Sequence, residues 1–204
     1  MTAEPPQGHL TLATRITIAR ILAVPVFILA MVYYRLSLDA GEPVPALRFV
    51  ALVIFVAACI SDGVDGWLAR RTGQVSRLGT ILDPLADKFL GLSALILLTS
   101  PSRPALQPQF PTWFTWLVIT RDLVLIPGAF LIDHVVGHVE VRARYSGKVA
   151  TAVLMLCVIW ALAGLPVTPF FGLVGVAAAA TCLSFGQYIY DGIRQFGIAD
   201  EEQQ

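Results

Sequence analysis

Four aspartates, Asp62, Asp65, Asp83 and Asp87, lie inside or beside segments that are otherwise apolar enough to cross a membrane. Of the 204 residues, 56% are hydrophobic and only 14% are charged, and the mean hydropathy is +0.73, which is typical of an integral membrane protein. An ionised side chain at such a depth is costly unless it is paired, hydrated or bound to metal. The four acidic residues therefore predict a cation site.

The spacing of these aspartates places them on two helical stripes. At 100° per residue, Asp62 and Asp65 share one face of a first helix, and Asp83 and Asp87 share one face of the next. If the two helices pair in antiparallel fashion, four carboxylates can surround one small volume. Carboxylate oxygens hold hard cations such as Mg²⁺ or Mn²⁺ and leave coordination positions open for phosphate oxygens. Small residues on the same faces leave room for a ligand: Gly66, Ala69 and Gly79.

The pattern D-x-x-D-G-x-x-A-R, eight residues, then G-x-x-x-D-x-x-x-D resembles the signature of the CDP-alcohol phosphotransferases. The fixed positions are occupied here by Asp62, Asp65, Gly66, Ala69, Arg70, Gly79, Asp83 and Asp87. The resemblance implies that a CDP-linked lipid binds through its diphosphate, that an alcohol attacks the phosphate on the lipid side, and that CMP leaves.

The same resemblance implies a role for each residue of the motif. The four aspartates would be the ligands of two divalent cations, Mg²⁺ or Mn²⁺. Asp87 would also be the general base and hence the catalytic residue. The CMP moiety would be lined by Gly66, Ala69, Arg70 and Gly79.

The acceptor alcohol is left open between two candidates. The segment GTILDPLADK resembles the branch that makes phosphatidylglycerol phosphate and cardiolipin, whereas residues 119–130 look closer to the CMP-forming cardiolipin synthases. We predict glycerol 3-phosphate as acceptor of a phosphatidyl group from CDP-diacylglycerol, with phosphatidylglycerol as the alternative. Both candidate acceptors are anionic, so cationic side chains near the site could bind either one. The alternative is that these side chains only anchor the protein at the membrane surface. The predicted acceptor contacts are Arg121, Arg142, Arg144 and Lys148.

The apolar segments predict an all-α fold of six transmembrane helices in one domain, residues 1–204, with flexible ends at 1–10 and 195–204. Six spans put both termini on one side of the membrane. That side is predicted to be the cytoplasm of a bacterial cell, because it carries most of the basic residues, and the acidic site would open towards it. These basic residues are Arg15, Arg20, Arg71, Arg77, Arg142, Arg144, Lys148 and Arg194.

The sequence supports other functions and partners less well than an enzyme. The net charge is zero and no basic patch indicates nucleic-acid binding. A catalytically silent scaffold or a cation transporter is the alternative of another class, but no inverted repeat or pair of broken helices supports transport. A stripe of small residues in the last span, from Gly172 to Ala179, suits either close packing within one subunit or a homodimer. Membrane lipids are the remaining expected partners.

Overall fold

The computed structural model describes residues 12–72, 88–99, 106–136 and 145–201. These ranges contain no strand, which confirms the predicted all-α class. They form two compact units, within Met1–Leu97 and within Leu98–Gln204. The helices are α1 (Leu12–Asp39), α2 (Pro45–Thr72), α3 (Lys88–Leu97), α4 (Thr112–Val136), α5 (Tyr145–Leu162) and α6 (Val167–Glu201).

Two of these helices contain a stretch that is long and apolar enough to cross a membrane, Ala19–Asp39 and Val167–Tyr190. Shorter apolar stretches occur at Pro45–Ser61, Lys88–Leu97 and Ser146–Leu162. Because a buried core helix meets the same criteria of length and hydropathy, six membrane spans and cytoplasmic termini stay predictions.

Between Arg20 and Arg35, helix α1 is apolar around its whole circumference. Phe27 and Met31 are fully buried on one side, while Leu22 and Leu29 on the other side are 62% and 55% exposed. A helix with this pattern belongs in a large core or in lipid, and an open outer face fits lipid. The helix continues through Pro25, which membrane helices tolerate.

In the first unit, α1 packs against the apolar half of α2. The ring of Phe27 lies 6.0 Å from the ring of Phe55, centroid to centroid. Ala51 and Ala58, about one turn to either side of Phe55 on α2, are buried and small. Small residues at a helix interface let two backbones approach closely. The contact therefore anchors α2 just before it reaches Asp62.

A tight turn connects α1 to α2. The hydroxyl of Ser37 donates to the carbonyl of Tyr34 at 2.7 Å and accepts from the backbone N–H of Val44 at 3.1 Å. Gly41 adopts a φ of 78°, a left-handed conformation that costs glycine little. Helix α2 then begins at Pro45, a residue suited to a first helical position because the first N–H groups have no partner within the helix.

In the second unit, an aromatic cluster joins the beginnings of α4 and α6. Phe110 stacks on Phe114 with ring centroids 5.6 Å apart and meets the edge of Phe170 at 5.2 Å. All three rings are buried. Aromatic pairs of this kind contribute about 0.5 to 1.5 kcal/mol each beyond the area they bury.

Helices α5 and α6 form an antiparallel hairpin. The chain reverses at Gly164, which has a φ of 69°, and the indole N–H of Trp160 donates to the carbonyl of Pro166 at 3.1 Å. The first turn of α5 consequently lies beside the middle of α6, as the bond from Ser146 to Gln187 demonstrates.

Helix α6 extends beyond its apolar segment at both ends. The helix begins at Val167, between Pro166 and Pro169, which are residues typical of a turn. Pro169 is accommodated because N–H groups in a first helical turn make no bond within the helix. At its other end α6 continues to Glu201, covering most of the segment 195–204 predicted to be flexible. The predicted flexible segment 1–10 lies outside the described residues.

Candidate active site

The first half of the acidic motif lies on one uninterrupted helix. Helix α2 passes through the motif and ends at Thr72, with no proline after its first residue to break it. At helical spacing Asp62, Asp65, Gly66 and Ala69 lie on one face, as predicted. Arg70 follows Ala69 on the same helix and lies at the edge of this face.

The second half of the motif, Gly79, Asp83 and Asp87, lies outside the described residues, and so do the predicted acceptor contacts Arg142 and Arg144. The described part of helix α3, Lys88–Leu97, follows the motif in the sequence. The facing of the two acidic stripes therefore stays a prediction. Where side chains are described, no three histidine, cysteine, aspartate or glutamate residues form a cluster that could hold a metal ion.

Arg121, one of the predicted acceptor contacts, is buried within the second unit. It continues the buried stripe of α4 that begins with Phe114 and Val118, and only 8% of it is exposed. Its Nη2 lies 3.5 Å from the hydroxyl oxygen of Ser184 on α6, a long hydrogen bond. Its Nε has no hydrogen-bond acceptor in the part of the chain that the structure describes.

Lys148, another predicted acceptor contact, is exposed in the first turns of α5. The residue before it, Gly147, closely approaches the buried arginine: a Cβ built on Gly147 would lie 3.7 Å from Nη2 of Arg121 and 3.4 Å from the hydroxyl of Ser184. The structure thus brings the backbone of the residue before Lys148 close to Arg121.

Three polar residues beside Arg121 were not predicted from the sequence. Ser184 is fully buried on α6, and the hydroxyl of Ser146 on α5 donates to the side-chain oxygen of Gln187 on α6 at 2.7 Å. One signal was present: the positions 170, 174, 177, 181 and 184 follow a buried helical stripe that changes from apolar to hydroxyl-bearing residues. The role of a serine among apolar residues can be inferred only when its contact on another helix is known.

The buried charge of Arg121 is poorly compensated by the described residues. Moving a charge out of water costs several kcal/mol, and one long bond to a neutral hydroxyl offsets little of that. A guanidinium can bind phosphate or carboxylate through two parallel N–H groups, and Nε of Arg121 is a donor without an acceptor among the described residues.

Comparison with known proteins agrees with the motif. The family model for CDP-alcohol phosphatidyltransferases matches residues 10–184, which include all four aspartates, Arg121 and Ser184. A protein of Mycobacterium tuberculosis H37Rv named "Probable phosphatidylglycerophosphate synthase" is 32% identical over 97% of this chain and 92% of its own length.

Two further relatives carry the name CDP-diacylglycerol–glycerol-3-phosphate 3-phosphatidyltransferase. The protein from Bacillus subtilis 168 is 34% identical over 69% of this chain and 70% of its own length. The protein from Escherichia coli K12 is 31% identical over 73% of this chain and 75% of its own length. With the motif and the family match over most of the chain, these similarities confirm the predicted family: the chain belongs to the CDP-alcohol phosphatidyltransferases.

Proposed function

We propose that the protein is a phosphatidylglycerophosphate synthase, which transfers the phosphatidyl group of CDP-diacylglycerol to glycerol 3-phosphate and releases CMP. The observation that carries the proposal is the complete acidic motif in a chain whose relatives are named for this reaction. Glycerol 3-phosphate was also the leading prediction from the sequence.

Two divalent cations, Mg²⁺ or Mn²⁺, are proposed to be held by Asp62, Asp65, Asp83 and Asp87. The donor set fits these metals, because it consists of carboxylates alone, and two of its members share one face of α2. Bound there, the cations would neutralise the diphosphate and lower the pKa of the attacking hydroxyl. The CMP moiety is proposed to contact Gly66, Ala69, Arg70 and Gly79.

Asp87 is proposed to act as the general base. A hydroxyl oxygen of glycerol 3-phosphate forms a bond to the lipid-side phosphorus, and its proton passes to the carboxylate of Asp87. The bond from that phosphorus to the oxygen shared with CMP breaks, and CMP leaves with the electron pair. The lipid product is phosphatidylglycerol phosphate. Asp87 then releases the proton to solvent and is again a base.

The phosphate of the acceptor is proposed to bind to the buried guanidinium of Arg121. This arginine lacks an acceptor for Nε among the described residues and is desolvated, so a charge-assisted bond to phosphate would be strong there. Arg142, Arg144 and the exposed Lys148 are proposed as further cationic contacts to the same acceptor.

The setting proposed for the reaction is the cytoplasmic membrane of a bacterium. We propose a single domain of six spans, with both termini and the acidic site on the cytoplasmic side. There a soluble acceptor and a lipid donor can both reach the site. The exposed apolar side of α1 supports contact with lipid. A homodimer through the small residues of α6 is a further proposal.

Phosphatidylglycerol is the second candidate acceptor, which would make the protein a cardiolipin synthase. It is favoured by the resemblance of residues 119–130 to the CMP-forming cardiolipin synthases. The relatives named for glycerol 3-phosphate favour the first candidate.

One assay separates the candidates. Purified protein is supplied with CDP-diacylglycerol, a divalent cation and, in separate reactions, glycerol 3-phosphate, phosphatidylglycerol, inositol phosphate or serine, and the lipid products are separated by chromatography. The proposal expects a new lipid with glycerol 3-phosphate. Product with phosphatidylglycerol alone would make the protein a cardiolipin synthase. Cation flux across vesicles without any release of CMP would indicate a transporter.

A further inference from the structure

Three helices of the second unit bring polar residues to one place. We refer to Arg121 on α4, Ser146 and Gly147 on α5, and Ser184 and Gln187 on α6 as the polar cluster. The buried stripes of α4 and α6 are aromatic or aliphatic at their beginnings and become polar as they reach this cluster. Arg121 and Ser184 are buried, whereas Ser146 and Gln187 are half-buried. Buried polar groups are costly unless they hold one another in place or bind a ligand.

The contact between Ser184 and Arg121 is the link between α6 and the buried charge. Ser184 is fully buried, and its hydroxyl oxygen is the acceptor that the described part of the chain offers to Nη2. A guanidinium has five N–H donors in a rigid plane. Fixing one of them fixes the direction of the others, including Nε.

The neighbouring residues hold Ser184 in position and leave a gap beside the arginine. The bond from Ser146 to Gln187, three residues beyond Ser184 on α6, fixes the rotation of α6 against α5. Gly147 has no Cβ. A Cβ at this position would be in ordinary van der Waals contact with the Ser184 hydroxyl and with Nη2 of Arg121, so this space is left empty. The cluster thus constrains Arg121 from one side while a small gap stays open next to its Nη2.

We propose that Ser184 is a positioning residue that orients the guanidinium of Arg121 for the phosphate of the acceptor. The inference rests on the proposed function, which assigns Arg121 to that phosphate. It adds α6 to the elements that determine the acceptor affinity. Ser184 itself touches no substrate and acts only through Arg121.

The test compares S184A with two matched variants. S184T keeps the hydroxyl. T181A removes a buried hydroxyl one turn away, which donates to the carbonyl of Ala177 on its own helix and does not touch Arg121. Initial rates with CDP-diacylglycerol and varied glycerol 3-phosphate give KM and kcat for each purified variant, and thermal unfolding checks the fold.

We expect S184A to raise KM for glycerol 3-phosphate about two- to tenfold, the range for one net hydrogen bond, with kcat and KM for CDP-diacylglycerol unchanged. S184T and T181A should stay close to the wild type. On an R121Q background, S184A should have no further effect on KM, because the residue through which it acts is gone.

Two results would overturn the role of Ser184 while leaving the proposed function intact: an unchanged KM for glycerol 3-phosphate in S184A, or an equal rise in S184A and T181A, which would indicate a packing effect. A further loss on the R121Q background would also contradict it. If the wild type makes no lipid from glycerol 3-phosphate, the proposed function fails, and the inference fails with it.

Discussion

Replacing Arg121 with glutamine is expected to weaken acceptor binding and, at the same time, to stabilise the protein. The side chain is 8% exposed, and its hydrogen bond within the described residues is the 3.5 Å contact to Ser184. Losing one charge-assisted contact to phosphate costs about 1.5 to 3 kcal/mol, which corresponds to a rise in KM for glycerol 3-phosphate of roughly ten- to hundredfold. Removing a poorly compensated buried charge should raise the free energy of unfolding, by about 1 kcal/mol or more.

The two effects are measured separately. Steady-state rates at saturating CDP-diacylglycerol give the KM for the acceptor, and thermal unfolding of the substrate-free protein in detergent gives the change in stability. Arg121→Lys is the matched control, because it keeps the charge but loses the planar pair of donors, so its KM should also rise while its stability should not increase. A destabilised Arg121→Gln protein with an unchanged KM would show that the arginine is a structural residue, and the reasoning would be refuted.

The remaining predictions concern the metal site, the acceptor, the core and the topology. Asp83→Asn should lower turnover by about a hundredfold or more with folding intact, and near-normal turnover would contradict the metal site. Lys148→Ala should lower kcat/KM for the acceptor about tenfold or more but leave the affinity for CDP-diacylglycerol unchanged; normal kinetics would make Lys148 a membrane anchor. Phe110→Ala should lower the free energy of unfolding by about 3 to 5 kcal/mol in denaturant titrations, whereas a loss below about 1 kcal/mol would mean that the aromatic cluster adds little. In a cysteine-free background, an impermeant thiol reagent added outside cells should label Glu42→Cys and not Gly73→Cys, and the reverse pattern would place the acidic site on the other face.

Helix positions could be predicted from the sequence because apolar segments are long and separated by proline, glycine and charge. The apolar residues from Leu47 onward and the helical spacing of the acidic motif up to Arg70 indicate one continuous helix, and α2 runs from Pro45 to Thr72. The helix ends were less predictable, since backbone hydrogen bonding continues past the point where hydropathy falls. Helix α6 illustrates this: it reaches Glu201 through a polar sequence.

Candidate site residues could be predicted from the sequence only where charged side chains occur in apolar segments. The aspartates stand out because four carboxylates at fixed intervals in apolar surroundings predict a cation site. Arg121 stood out for a similar reason, as a charge in an apolar helix. Ser184 did not, because a hydroxyl can bond to the carbonyl of its own helix, as Thr181 does, and so needs no partner elsewhere.

The most direct test of the proposed reaction is the fate of labelled glycerol 3-phosphate. Purified protein, CDP-diacylglycerol and a divalent cation are incubated with isotopically labelled glycerol 3-phosphate, and both lipid-bound label and CMP are quantified. Phosphatidyl transfer predicts one molecule of phosphatidylglycerol phosphate for each CMP, and no product after the metal is chelated. CMP release without label in the lipid, or equal product in the presence of chelator, would contradict the proposed reaction.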